Sequence, residues 1–200
     1  MRAPDSMSSA ILAGALAALL AIAPTAAQRQ RAHTPEPAQP PRDGQHGFDF
    51  EFGLWNSHIK RLKRPLSGSQ EWVEYHGTTL VNRLHEGRAN TAELAVAGPA
   101  GRIDGVAARL YDPQSDRWSI HYANLRDGAL TAPVIGRFQR GRGEFYGDEV
   151  LDGRPIRVRF VIHCPSRDRC LFEQAYSADA GKTWEMNWIS TDTRAGGATK

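Results

Sequence analysis

The chain has 200 residues, with 25 Lys+Arg against 22 Asp+Glu and a formal net charge of +3. That length holds one domain of ordinary size, and 24% charged with 8% aromatic residues excludes a wholly disordered chain and a polytopic membrane protein. So small a charge excess excludes a phosphate-tracking surface and hence a nucleic-acid partner, and two cysteines exclude a cysteine-rich zinc module or a disulfide-built miniprotein.

Taken in chain order, Ala10 to Ala23 (AILAGALAALLAIA) is an uncharged run of fourteen residues, preceded by Arg2 and followed by Pro24-Thr25-Ala26-Ala27. This is the three-part pattern of a secretory signal with cleavage before Gln28. The run is short of the roughly 20 apolar residues that span a bilayer, so no stable membrane insertion is expected after cleavage. Residues 1–27 are read as a signal peptide, which places the protein in the periplasm or outside the cell. Residues 28–46 hold four prolines and no large apolar side chain, and are read as a disordered linker. The folded domain is expected over 47–194, with a short disordered tail over 195–200.

Within that domain no window outside the signal keeps a helical apolar period over three turns. Short alternating runs recur instead, punctuated by turn chemistry. Strands are expected near 55–62, 71–81, 88–96, 103–111, 117–124, 133–139, 143–151, 155–164, 170–177 and 184–193. About ten strands with mostly tight connections imply an all-β, antiparallel up-and-down sheet. A sheet this wide is expected to curl and close into a barrel, which removes its edges.

Two turns set the register of the C-terminal half. Asp152-Gly153 is a two-residue hairpin signal, because that turn takes positive φ at both positions. It pairs Leu151 with Arg154, Asp148 with Arg157, and Phe145 with Phe160. Cys164 and Cys170, in an oxidising compartment, are expected to form a disulfide across the next hairpin mouth. That pairing sets Ile162 opposite Phe172, Phe160 opposite Gln174, and Val158 opposite Tyr176. Both constraints put Phe145, Val158, Phe160, Ile162, Phe172, Gln174 and Tyr176 on one face. A third hairpin around Asp112-Pro113-Gln114-Ser115-Asp116, with Leu110 set opposite Trp118, pairs Ala108 with Ile120 and Val106 with Tyr122. Asn124 follows onto the apolar face by period two, and Ala108 and Gly147 would leave space beside it. The opposite face, with Asp148 across from Arg157, reads as a solvated ladder whose pairs contribute about 0.2–1 kcal/mol each.

Ser177-Ala178-Asp179-Ala180-Gly181-Lys182-Thr183-Trp184 resembles the Asp-box, S-x-D-x-G-x-T-W, found on hairpins of sialidase-like propellers. A propeller repeats such units and this chain has one, so the box implies a hairpin with Trp184 packed beneath it, and no glycosidase chemistry. Phe48-Asp49-Phe50 with Gly53-Leu54-Trp55 resembles the G-x-W opening of lipocalin-like proteins. Further stretches are similar to an uncharacterised bacterial family of lipocalin-like domains: Arg109-Leu110-Tyr111-Asp112-Pro113, Trp118-Ser119-Ile120, Val134-Ile135-Gly136-Arg137-Phe138, Phe145-Tyr146-Gly147-Asp148, Gly153-Arg154-Pro155-Ile156-Arg157-Val158-Arg159-Phe160, Glu173-Gln174-Ala175-Tyr176-Ser177-Ala178-Asp179 and Lys182-Thr183-Trp184-Glu185-Met186-Asn187-Trp188. The resemblance spans about residues 48–194 and implies a calycin-like barrel, with a short helical turn leading into the first strand. It also implies a late-strand arginine over the opening tryptophan, a part for Arg194 toward Trp55. Glu51-Phe52 stands where two apolar residues are the pattern.

The seven histidines show no His-x-His or His-x-x-x-His spacing, and there is no Cys-x-x-Cys. If the first hairpin turns near Ser67, His58 faces His76 and Lys60 lies beside Glu74. Two facing histidines without an evident third ligand are read as exposed strand residues, so no metal site is assigned. A barrel of this type can hold haem through one histidine, as in the nitrobindin relatives, but the register points both His121 and His163 away from the interior. No catalytic group and no cofactor are assigned. The expectation is a barrel binding a small, largely apolar molecule, with Trp118, Tyr122, Phe145, Phe160, Gln174 and Trp188 lining the interior. Trp188 joins that set if Phe172 lies opposite Trp188. An enzyme or haem protein on the same barrel, which would need a buried charged or histidine cluster, and a barrel with a filled core are the alternatives.

Overall fold

The structure, a computed structural model, describes residues 44–196. The expected signal peptide and nearly all of the expected linker lie outside the described residues, as do residues 197–200. A 3-10 segment occupies Gly44–Glu51, so residues 44–46 belong to the folded body rather than to the linker. Eleven strands follow: β1 (Gly53–Leu62), β2 (Trp72–Leu84), β3 (Ala89–Gly98), β4 (Gly101–Asp112), β5 (Arg117–Asn124), β6 (Ala129–Leu130), β7 (Val134–Gln139), β8 (Arg142–Leu151), β9 (Arg154–Ser166), β10 (Arg169–Ser177) and β11 (Glu185–Arg194). Ten coincide with the expected runs. The eleventh, β6, is a two-residue strand against the end of β5.

Neighbouring strands pair antiparallel around the sheet, and β1 pairs with β11 from Trp55 opposite Arg194 to Arg61 opposite Trp188. That last pairing closes the ten-stranded barrel, so each of its ten strands has a partner on both sides. Asp152 and Gly153 take φ of 50° and 76° and hold the β8–β9 register as expected, with Phe145 opposite Phe160 and Asp148 opposite Arg157. Cys164 and Cys170 are bonded, and Ile162, Phe160 and Val158 face Phe172, Gln174 and Tyr176.

The third hairpin differs from expectation by one residue. Tyr111, not Leu110, lies opposite Trp118, and Arg109 and Ala107 face Ile120 and Tyr122. Four residues, not five, separate the paired ends Asp112 and Arg117. Asp112 accepts from the Gln114 amide at 2.9 Å and the Ser115 hydroxyl at 2.6 Å, and Asp116 turns the chain with φ of 51°. A slip of one residue exchanges the faces of a strand. Val106, Ala108 and Leu110 therefore lie on the outside, Leu110 half exposed, while Ala107, Arg109 and Tyr111 lie inside. At Gly147 the expected space is taken up by the start of β7 and the residue before it, since an added Cβ would meet the Val134 side chain and the Pro133 carbonyl at 3.0 Å each.

The 3-10 segment closes one end of the barrel. Phe48 is fully buried, edge-on to Trp118 and Phe138 at 4.8 Å each, with Phe145 stacked behind it. The Trp55 indole donates to the Glu51 carbonyl at 2.6 Å. Arg194 lies over the Trp55 ring at 4.1 Å and donates to the carbonyls of Phe52 (2.9 Å), Phe50 (3.0 Å) and Arg167 (3.2 Å). One guanidinium thus joins the 3-10 segment, β1, β11 and the β9–β10 turn. On the outer wall the Asp-box is closed by Asp179, which accepts from the Thr183 amide (2.9 Å), the Thr183 hydroxyl (2.6 Å) and the Ser177 hydroxyl (2.7 Å). Those bonds hold its carboxyl well below the usual range. Trp184 packs on the outside, against Tyr146 and beneath the Arg159 guanidinium.

Replacing Arg194 by Ala removes three charge-assisted hydrogen bonds and a cation–π contact at once. The expected loss of unfolding free energy is about 2–4 kcal/mol. Arg194→Lys recovers less than half of it, because an ammonium cannot match the planar fork. Urea midpoints at constant m-value measure both.

Candidate functional site

Alternation turns one face of every strand inward, and the two ends of the barrel interior differ. At the closed end Phe48, Trp118, Phe145 and Ile162 form a packed cluster. Beyond it lies a cavity of about 360 Å³, within the size range of small-molecule sites. Its wall is apolar: Ile59, Leu94, Ile103, Ala107, Ile120, Val134, Phe160, Phe172 and Trp188. Gly105 shapes this wall, since a Cβ there would lie 2.3 Å from the Tyr122 hydroxyl. Its bare backbone lets the tyrosine ring lie against β4.

The floor of the cavity is polar. Glu51, the last residue of the 3-10 segment, forms a buried ion pair with Arg109 of β4. The Arg109 guanidinium lies 4.4 Å over the Phe48 ring and contacts the Asn90 side-chain oxygen at 3.4 Å. Beside this pair Asp192 of β11 accepts from the Ser57 hydroxyl at 2.5 Å and from the Ser190 hydroxyl at 3.0 Å. Ser57 also contacts Thr79 at 2.7 Å. Burial pushes the Asp192 carboxyl up to about 6, and the Glu51 charge pushes the same way; the two serine hydrogen bonds and Arg109 oppose the rise without cancelling it. Such a group can anchor a cation or a hydrogen-bond donor, or exchange a proton near neutral pH.

The opposite end is ringed by Arg61, Tyr122, Asn124, Glu149 and Tyr176. Burial raises the Glu149 carboxyl and the Tyr122 phenol, and pushes the Tyr176 phenol to about 12 with help from the Glu149 charge. Halfway up the wall Gln174 donates to the Asn187 side-chain oxygen at 2.7 Å. A bulge between Gln174 and Ala175 turns both Asn187 and Trp188 of β11 toward the interior. The Asn187 side-chain nitrogen is buried there without a partner.

Of the six residues expected to line the interior, Tyr122, Phe160, Gln174 and Trp188 border the cavity. Trp118 and Phe145 do not, because the 3-10 segment fills their end of the barrel and Phe48 packs on both rings. Trp188 faces inward although its partner is Gln174 and not Phe172, a shift of two residues that preserves the face. Asn124 borders the cavity as period two required, whereas Ala107 occupies the wall where Ala108 was expected. No histidine borders the cavity among the described residues.

The charged residues of the interior escaped the sequence reading. Period two from Trp188 leads through Ser190 to Asp192, and from Phe145 through Gly147 to Glu149, so both were reachable by extending known faces. Arg109 was hidden by the one-residue slip, and Glu51 by its position in a segment without strand periodicity.

No family model matches this sequence, and no curated protein matches it. Among solved structures the chain is similar to the S-type phycobiliprotein lyase CPES from Guillardia theta. That match has a TM-score of 0.50 and 12% identity, and covers 78% of this chain and 98% of that one. A de novo designed fluorescence-activating β-barrel aligns with a TM-score of 0.39 and 11% identity, over 73% of this chain and 94% of that one. The likeness to the lyase is one of fold.

Asp192 makes stability depend on pH in a definite direction. Its carboxyl holds a proton more tightly folded than unfolded, so its contribution is full below about pH 4 and is lost as pH rises through about 6. Asp192→Asn keeps the shape and the serine partners without the charge. Relative to the unaltered protein the variant should gain on the order of 2 kcal/mol between pH 4 and 7.5. Urea unfolding of both proteins across that range measures the difference, and a difference that does not vary with pH would refute the assignment.

Proposed function

We propose that this chain is an exported lipocalin-like barrel that binds one small, largely apolar molecule with a polar end and does not transform it. The observation that carries the reading is the cavity itself: about 360 Å³ with an apolar wall and, on its floor, Asp192 beside the Glu51–Arg109 pair. An apolar ligand body would gain from leaving water along Ile59, Ile120, Phe160 and Trp188. A donor or cationic end would take up the Asp192 carboxylate, whose burial favours a partner over solvent. Export is supported by the uncharged run Ala10–Ala23 behind Arg2 and by the Cys164–Cys170 bond. Among the described residues no helix is long and apolar enough to cross a membrane. Membership of the bacterial lipocalin-like family is supported by the quoted motifs and by the contact of Arg194 with Trp55.

A second reading is favoured by Asp192 alone. A carboxyl that titrates near neutrality inside a cavity, hydrogen-bonded to Ser57, has the properties of a general acid or base. Under that reading a bound molecule is converted, and Asp192→Asn abolishes conversion while binding persists.

Native mass spectrometry of the protein purified from its own compartment should detect a retained small molecule. Quenching of the intrinsic fluorescence by that molecule should be reduced in a Trp188→Phe protein. Ala107→Trp, which fills the middle of the cavity, should weaken binding by at least roughly tenfold, and Gln174→Leu should alter affinity more than stability. A uniformly empty protein in which Gln174→Leu is stabilising would sink the binding reading.

A further inference from the structure

The outer wall of the barrel carries a group of side chains that the cavity does not use. His58 of β1 lies directly opposite His76 of β2, and their rings stack with 4.5 Å between centroids and 2° between their planes. Glu74, two residues before His76, shares that outer face and places a carboxylate oxygen 2.9 Å from the His58 Nε2. One donor atom from each of the three residues lies within 4.8 Å of the others. The ligand that the sequence alone did not reveal is therefore Glu74, diagonal to His58 across the strand pair.

We propose that His58, Glu74 and His76 form a binding site for a divalent transition-metal ion of the zinc type. Two imidazoles and a carboxylate are the donor set of open zinc sites, with the fourth position left to water. Adjacent donors of a tetrahedral zinc sit roughly 3.3 Å apart, given bond lengths of about 2.0–2.1 Å. The His58–Glu74 separation is close to that value, and small side-chain rotations bring in His76. The three residues stand on paired strands of a closed barrel, so the backbone that carries them is already ordered. The surrounding charge is modest: Lys60 lies 3.3 Å from the other Glu74 oxygen, while Thr191 of β11 and Ala97 of β3 flank the histidines without charge. Lys60 neutralises part of the Glu74 charge and limits affinity, and leaves the Glu74 oxygen nearest His58 available. Imidazole with carboxylate also suits nickel and copper, with copper(II) binding more tightly than zinc. The site lies on the outer wall, so its failure would leave the cavity reading intact.

Calorimetric titration of the full chain with zinc chloride at pH 7.5, in a non-coordinating buffer, tests the site. The expected result is one saturable zinc per chain that involves these residues. His58→Gln and His76→Gln should each weaken it by at least roughly tenfold, and Glu74→Gln by roughly threefold or more. His121→Gln, on a different part of the outer wall, should leave it unchanged. Zinc should raise the thermal midpoint of the unaltered protein and leave that of the His58→Gln/His76→Gln double variant unmoved, since binding to the folded state alone stabilises it. Circular dichroism confirms that each exposed-residue variant keeps the barrel. Absence of a saturable site, or an affinity that survives the double substitution or Glu74→Gln, would overturn the proposal.

Discussion

The barrel depends on the Arg194 guanidinium. It sits at the end of the last strand, yet its hydrogen bonds reach the carbonyls of Phe50 and Phe52 at the start of the folded chain, and the carbonyl of Arg167 in the β9–β10 turn. Backbone carbonyls at the end of a short 3-10 segment have no intrasegment donor and must find one elsewhere. A planar cation with several fixed donors, stacked on Trp55, satisfies them together. This contact turns the pairing of β1 with β11 into a closed end rather than a seam. Phe48 can then be buried against Trp118 and Phe138, because the segment that carries it is held in place.

Closure at that end has a second consequence for the interior. The same 3-10 segment that brings Phe48 into the barrel also brings Glu51, and its charge meets Arg109 away from water. Such a pair is expensive to desolvate, and the Asn90 oxygen and the Phe48 ring give the arginine its further contacts there. The pair in turn acts on Asp192: Glu51 opposes its ionisation and Arg109 favours it, while burial dominates both. The floor is consequently polar and tunable, while the wall above it is apolar. That division would orient a bound molecule as well as limit its size.

Most of the fold was legible because turn chemistry and the two-residue period are local properties of the chain. Asp152-Gly153 and the cysteine pair determined two hairpins independently, and their agreement on the faces of Phe160 and Gln174 holds in three dimensions. The β4–β5 hairpin departs from its apolar pattern for an equally local reason. Val106, Ala108 and Leu110 form the more apolar alternation, whereas the inward set contains an arginine. Apolar patterning identifies the inner face only while buried charges are absent, and Arg109 is buried because Glu51, far away in sequence, accompanies it. The placement of Trp118 and Phe145 follows the same logic. Their inward direction was readable from β5 and β8, but whether they meet a ligand or a plug depends on where residues 44–51 pack.

The sequence by itself determined the ten long strands, the registers of the β1–β2, β8–β9 and β9–β10 hairpins, the disulfide and the inward faces of β5, β8, β9 and β10, since each follows from spacing, turn residues or a covalent link. It also carried the resemblance that set Arg194 toward Trp55. Only the tertiary structure decided which end of the barrel is filled and which charges share its floor. It alone brought Glu74 beside the two facing histidines. The physical reason is the range of the forces involved. Alternation and turns act over a few residues, while a small excess of charge says nothing about which ions are removed from water together. The three excess positive charges of the whole chain matter less to this protein than the three charged groups that closure places at the bottom of its cavity.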